Sequence, residues 1–283
     1  MTVALDPHFG TFALAEPGEA WRIKAAHYKD NRWGRAMISR CRKRAMATQS
    51  EPYDVVIELG IKARLYPSQN RCEKRAFCGV QIWDTEERAA LKDAIIEDIS
   101  TPFVFLDVGA NVGLYSLYVN AYAKSITRAT RILAIEPGLE TCTRLETNIK
   151  ANRANVQIIR AAISDEPGSG FLGGGDTNRG EAKLVSGGKD VEPVVIDTLA
   201  RICFANSITH IDALKLDIEG HDFKALNGFF EDAPKKLHPK LIIAETSKDK
   251  NSPIVALCES HNYMVSKHSG LNTIFKKKTH GQT

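Results

Sequence analysis

An apolar run, Phe103 to Leu106, ends in Asp107; glycines follow at Gly109 and Gly113, with Asn111 between them. Leu114, Leu117, Tyr118 and Ala121 then recur at helical spacing. This stretch reads as a buried strand, a tight turn and a helix N-terminus. Glycine lacks a Cβ and tolerates positive φ, so such a turn lets a ligand approach the backbone closely. The carboxylate that precedes it suits a cationic partner. A turn built for pyrophosphate would want G-x-G-x-x-G at the helix N-terminus. Here the pattern is D-x-G-x-N-x-G, and the third glycine of that fingerprint is missing.

From 103 onward strands and helices alternate. Strands are expected at 103–107, 131–136, 156–162, 194–196, 211–217 and 241–245. Helices are expected at 112–124, 139–152 and 253–261, with a further helix released by Gly220 and one capped by Asp197 that ends near Ala205. Two final strands near 263–267 and 271–276 form an antiparallel hairpin. Alternation of this kind implies an α/β fold with a mostly parallel, seven-stranded sheet and helices on both faces. Residues 167–189 are Gly-rich and polar and fit a loop with a small hairpin over the sheet. Residues 1–100 read as a separate N-terminal extension of helices and a short β-hairpin, and 101–283 as the main domain. Within the extension, a basic helix is expected near Arg35 to Ala47, and paired strands on either side of Gly60. Pro67 to Arg71 reads as a turn, and Thr85 as the N-cap of a helix that runs to about Asp98.

The 283 residues suffice for this arrangement. A net charge of +4 is too mild to imply nucleic acid by itself. The cluster Arg40-Cys-Arg-Lys-Arg44 reads as a solvated helix face. Six cysteines form no CxxC pair and no metal spacing. With no basic-then-apolar leader and no apolar run long enough to span a bilayer, the expectation is a reduced, cytoplasmic protein.

In an open α/β sheet, ligands sit outside the carboxyl ends of the strands. Four of the expected strands end in an acid there: Asp107, Glu136, Asp217 and Glu245. Acids at strand ends also serve as plain helix caps, and that reading competes for each of them. A carboxylate at Glu136 can take two hydrogen bonds from a ribose diol. Asp165 could accept from an adenine amino group, or simply form an Asx turn. Period-two alternation would send Lys215, Asp217 and Glu219 to one side of their strand. Three charges at the end of a buried strand are costly unless paired or used. His221 follows, either against a substrate or facing solvent at a helix start.

Asp107-Val-Gly-Ala-Asn-Val-Gly113, Glu136-Pro137, Ser164-Asp165, Val195-Ile-Asp-Thr-Leu199 and Lys215-Leu-Asp-Ile-Glu-Gly220 resemble, in order and spacing, the FkbM family of S-adenosylmethionine-dependent methyltransferases. The resemblance covers roughly 103–276. It implies a Rossmann-like class I methyltransferase fold and O-methylation of a hydroxyl on a sugar, glycolipid or secondary metabolite. S-adenosylmethionine would be the cofactor and S-adenosylhomocysteine the product. Asp107, Gly109, Asn111 and Gly113 would hold the methionine end, Glu136 the ribose and Asp165 the adenine. Lys215, Asp217 and Glu219 would line the acceptor side. Asp217 is the first choice as base, with Glu219 and His221 next and Glu245 orienting the acceptor.

A metal held by Asp217, Glu219, His221 and Glu245 is disfavoured by the cation at Lys215, so no metal is assigned. A nicotinamide-dependent oxidoreductase is disfavoured by the missing third glycine. A methyltransferase-like scaffold without activity is the non-enzymatic alternative. Amino-group methylation of nucleic acid usually brings a Pro-Pro-aromatic tail that Lys215 to Ile218 lacks, so no nucleic-acid partner is expected. The N-terminal strands could cover the sheet edge in cis or pair with a second subunit as a homodimer.

Overall fold

The computed structural model describes residues 7–97, 101–174, 183–185, 187, 191–218, 220–246 and 252–278. The N-terminal hundred residues carry helices α1 (Glu16–Ala26) and α2 (Arg32–Met46). A hairpin follows, β1 (Tyr53–Val56) and β2 (Lys62–Leu65), and then α3 (Arg71–Phe77) and α4 (Thr85–Glu97). α2 buries Gly34, Ile38, Cys41 and Ala45, which recur at helical spacing. Arg40, Lys43 and Arg44 stay exposed on its other side, as a solvated basic face requires. The hairpin turns at Leu59 and Gly60, both at positive φ.

The main sheet is built from β3 (Phe103–Val108), β4 (Thr130–Ile135) and β5 (Val156–Ile159), separated by α5 (Leu114–Ser125) and α6 (Leu139–Asn152). A second sheet follows from β6 (Ala162–Ile163), β7 (Gly168–Gly173), β8 (Lys183–Val185) and β9 (Glu192–Asp197). The chain then returns through α7 (Leu199–Ala205), β10 (Ala213–Leu216), α8 (Asp222–Asp232), β11 (Leu241–Glu245) and α9 (Pro253–Ser260). It closes with β12 (Tyr263–Ser269) and β13 (Asn272–Lys277). The seven-stranded sheet runs β12-β13-β11-β10-β3-β4-β5. β11, β10, β3, β4 and β5 are parallel neighbours, and β13 lies antiparallel to β11 and β12. The expected parallel sheet with an antiparallel C-terminal hairpin is therefore what forms.

β3 explains why both faces must be covered. Phe103 and Phe105 enter one core with α5 and the N-terminal helices, whereas Val104, Leu106 and Val108 enter another with α7, α8 and α9. Side chains alternate along a strand, so an unbroken apolar run needs cover on both sides. The core on the α5 side continues without a break into α2, β1, β2 and α4 through Ile38, Val55, Leu65 and Leu91.

Three local expectations are corrected. The strand expected over 156–162 breaks into β5 and β6, because Ala162 and Ile163 leave the main sheet to pair with β9. The turn expected at Pro67 to Arg71 is present over 67–69 and leads directly into a helix. Asn70 accepts from the amides of Cys72 and Glu73 and starts α3. Thr85 is already helical, and the Arg88 amide donates to the Asp84 carbonyl one residue earlier. Thr198, not Asp197, caps α7 by accepting from the Arg201 amide; Asp197 is still paired with Ile163 as the end of β9.

Candidate active site

β3, β4, β10 and β11 end at a cavity of about 1010 Å³. That is the upper end of the range for small-molecule sites. Its floor is the turn between β3 and α5. Gly109 holds φ 74°, and a Cβ built there would lie 1.9 Å from the Asp217 carbonyl oxygen, so only glycine lets the β3 and β10 ends approach this closely. Asn111 sits at φ 53° and Gly113 at φ 85°. The Asn111 side-chain oxygen accepts from the Val112 amide at 2.9 Å and from Asn70 Nδ2 at 2.8 Å. Gly109 and Asn111 line the cavity; Asp107 and Gly113 lie behind that lining.

Asp107 is 1% exposed. One carboxylate oxygen accepts from the Ser116 amide at 3.0 Å and hydroxyl at 2.7 Å, which pins the first turn of α5. The other oxygen, Oδ1, is buried and has no hydrogen-bond partner. Burial pushes this carboxyl above its ordinary range, opposed by the charge of Lys215 and the Ser116 bonds. Glu136 is also buried. Its oxygens accept from the amides of Asn111 at 2.9 Å and Gly138 at 3.1 Å. Burial pushes it up to about 7 against those two bonds. It lines the cavity beside the turn.

The β10 end supplies the second half. Lys215 lies opposite Asp107 in the β10–β3 register. Its side chain is buried, donates to Asp217 at 3.1 Å and stands 5.0 Å from the Tyr115 ring centre. Burial alone would lower its pKa, but Asp217 and Asp107 outweigh that and raise it, so the ammonium is retained. The Asp217 side chain is 41% exposed and reaches the cavity, as do His221 and Glu245. His221 opens α8, and its Nδ1 is buried without a partner. Glu219 lies outside the described residues. Among the described residues no three His, Cys, Asp or Glu side chains gather as a metal cluster.

Asp165 does not join this group. It is exposed, accepts from the Ser164 hydroxyl at 2.8 Å, and backs onto Gly228 of α8, away from the cavity lining. Ala162, Ile163 and Leu172 give the cavity an apolar part of its lining.

A further part of the lining comes from the N-terminal elements, where no motif was legible. Arg42, Asn70, Arg75 and Asp84 belong to it, with Tyr115 beside them. The Tyr115 hydroxyl donates to Asp84 at 3.0 Å. Asn70 carried a usable signal: an Asn three residues before Glu73 has the spacing of a helix start. Arg42 lies within the basic cluster of α2 and differs from its neighbours only in the face it occupies.

The pieces fit S-adenosylmethionine. A buried carboxylate behind a turn opened by Gly109 suits a ligand with a cationic amino-acid end, and a second carboxylate that lines the cavity suits a diol.

Residues 107–269 match the family model described as the methyltransferase FkbM domain. No curated protein matches the chain. Among solved structures, the METTL16 MTase domain is 10% identical, covers 93% of this chain and 97% of its own, and superposes with a TM-score of 0.51. A SAM-dependent methyltransferase from Agrobacterium tumefaciens is 10% identical over 67% of this chain and 59% of its own, with a TM-score of 0.39. TrmK of M. capricolum, in complex with S-adenosylhomocysteine, is 12% identical over 66% of each chain, with a TM-score of 0.35.

Proposed function

Because the chain belongs to the FkbM methyltransferase family, we propose that it moves the methyl group of S-adenosylmethionine to a hydroxyl oxygen of a sugar, glycolipid or secondary metabolite. The observation that carries this reading is the cavity itself: Glu136, the glycine turn and the Lys215–Asp217 pair all line it. The cofactor, when bound, supplies a methyl carbon already activated by its sulfonium, so the protein's task is chiefly alignment. The backbone of Gly109 to Asn111 would hold the amino-acid end, with the Asp107 carboxylate supplying negative charge from behind that turn, and Glu136 would take the ribose hydroxyls.

An alcohol is a weak nucleophile and benefits from a positioned base. Asp217 fills that role. Its carboxylate would accept the proton of the acceptor hydroxyl as that oxygen takes the methyl group. Lys215 fixes that carboxylate in place. Glu219, His221 and Glu245 bind and orient the acceptor. Residues 1–100 act as an extension that closes the acceptor side, and the 101–283 segment carries the methyl-transfer machinery.

The test is calorimetric titration with S-adenosylmethionine and S-adenosylhomocysteine, repeated on Glu136→Ala. Micromolar binding that collapses in the variant is expected. A folded protein that binds neither ligand would favour the inactive scaffold instead.

A further inference from the structure

We propose that the acceptor carries an anionic oxygen group, phosphoryl or carboxylate, that docks on Arg42 and Arg75 in the same cavity that Glu136 lines. This rests on the methyltransferase reading above and narrows its substrate class. The two arginines come from different elements, α2 and α3, and both line the cavity. Arg42 is half-buried, and its only hydrogen bond among the described residues runs from Nε to the Cys78 carbonyl at 3.3 Å. A guanidinium has five donors, so four remain. No carboxylate among the described residues pairs with Arg42.

The acids of the same wall are already engaged. Asp30 is paired with Arg35, and Glu86 with Lys267 at 2.9 Å. Asp84 takes the Tyr115 hydroxyl and lies 3.6 Å from Arg75. Glu87 accepts from Ser269 at 3.1 Å and Asn272 at 2.9 Å. Burial lowers the pKa of Arg42, and the charge of Arg75 lowers it further. Two guanidiniums that repel each other at a cavity wall are relieved by an oxyanion between them. The planar fork of arginine matches phosphate and carboxylate oxygens two at a time. A purely structural Arg42, holding α2 to the Cys78 carbonyl, would use one donor and would gain nothing from a ligand.

The proposal is tested by titrating the full chain with inorganic phosphate and with acetate at matched ionic strength in chloride, with and without S-adenosylhomocysteine. Wild type, Arg42→Gln, Arg42→Lys and Arg75→Gln are compared. Saturable binding of one anion is expected, about tenfold weaker in either Gln variant and partly restored in Arg42→Lys. Without anion, the S-adenosylhomocysteine affinity should be the same in all four and each should keep a single cooperative thermal transition, and whichever anion binds more tightly identifies the group. Absence of saturable binding by either anion, or binding that survives both Gln variants, overturns the proposal. If the anion binds as expected while S-adenosylhomocysteine does not bind to wild type, the methyltransferase reading fails and the anion site stands.

Discussion

The Asp217 carboxylate is open to the cavity, yet its neighbour Lys215 is buried between it and Asp107. A buried ammonium between two carboxylates is retained only while they stay charged, so the trio acts as a unit. Asp217→Asn keeps the shape and removes the proton acceptor. Its expected result is S-adenosylhomocysteine affinity within a few-fold of wild type and turnover lower by about 10²–10⁴-fold, read by calorimetry and a methyl-transfer assay. Full activity in that variant would remove Asp217 as the base. Glu136 makes a second prediction, through pH. Its folded pKa, about 7, lies above the value of a free glutamate, so the folded state binds the proton more tightly. The stability it contributes is complete below about pH 4.3 and is lost as pH rises through about 7. Glu73, also pushed up to about 7 by burial, shares the window. Thermal melts from pH 5 to 8 should therefore fall less steeply in Glu136→Gln than in wild type, without becoming flat. Cofactor affinity should move the other way. Ribose hydroxyls donate best to the ionised carboxylate, so wild-type S-adenosylhomocysteine binding should tighten between pH 6 and 8, and titrations at those two values check it.

Among the elements, the turn between β3 and α5 tolerates the least change. Adding a methyl group at Gly109 would require positive φ from an alanine and would drive its Cβ into the Asp217 backbone. Gly109→Ala should cost on the order of 2–4 kcal/mol in urea unfolding and displace the β10 end as well. An unaltered midpoint would show that the two strand ends are farther apart than described. That turn was legible in the sequence because its chemistry is local: strand, acid, glycines and helix lie within one short stretch. The parallel order was legible for a related reason, since apolar runs such as Phe103 to Leu106 must be buried on both faces. The end of β5 was not. Arg160 and Ala161 give no turn signal, and the split into β6 is decided by β9, more than thirty residues away in the chain. The packing of Asp165 was not legible for the same reason: its neighbour in sequence is a strand end, but its neighbour in space is α8.

At the scale of the whole molecule, the N-terminal hundred residues belong to the core. Leu91 and Ile95 of α4 are fully buried beside α5, and β2 is clamped to α6: Asn148 accepts from the Arg64 amide at 2.7 Å and Asn152 from the Lys62 amide at 2.9 Å. A truncated 101–283 chain would expose that apolar face and leave the side-chain oxygens of those asparagines without the β2 amides. It should be insoluble or lack a cooperative unfolding transition, whereas a sharp transition like that of the full chain would show an independent domain. None of this was legible from the first hundred residues, because asparagines that dock a strand on a distant helix leave no periodicity. The bond from Asn70 to Asn111, 2.8 Å long, has a thermodynamic corollary. It ties the extension to the loop on which a cofactor would rest, so the two share one free-energy cycle. A ligand that orders the loop must steady the extension, and whatever steadies the extension must by reciprocity raise affinity at the loop by the same factor. An acceptor gripped by the N-terminal wall and a cofactor held beneath it would then bind cooperatively without touching.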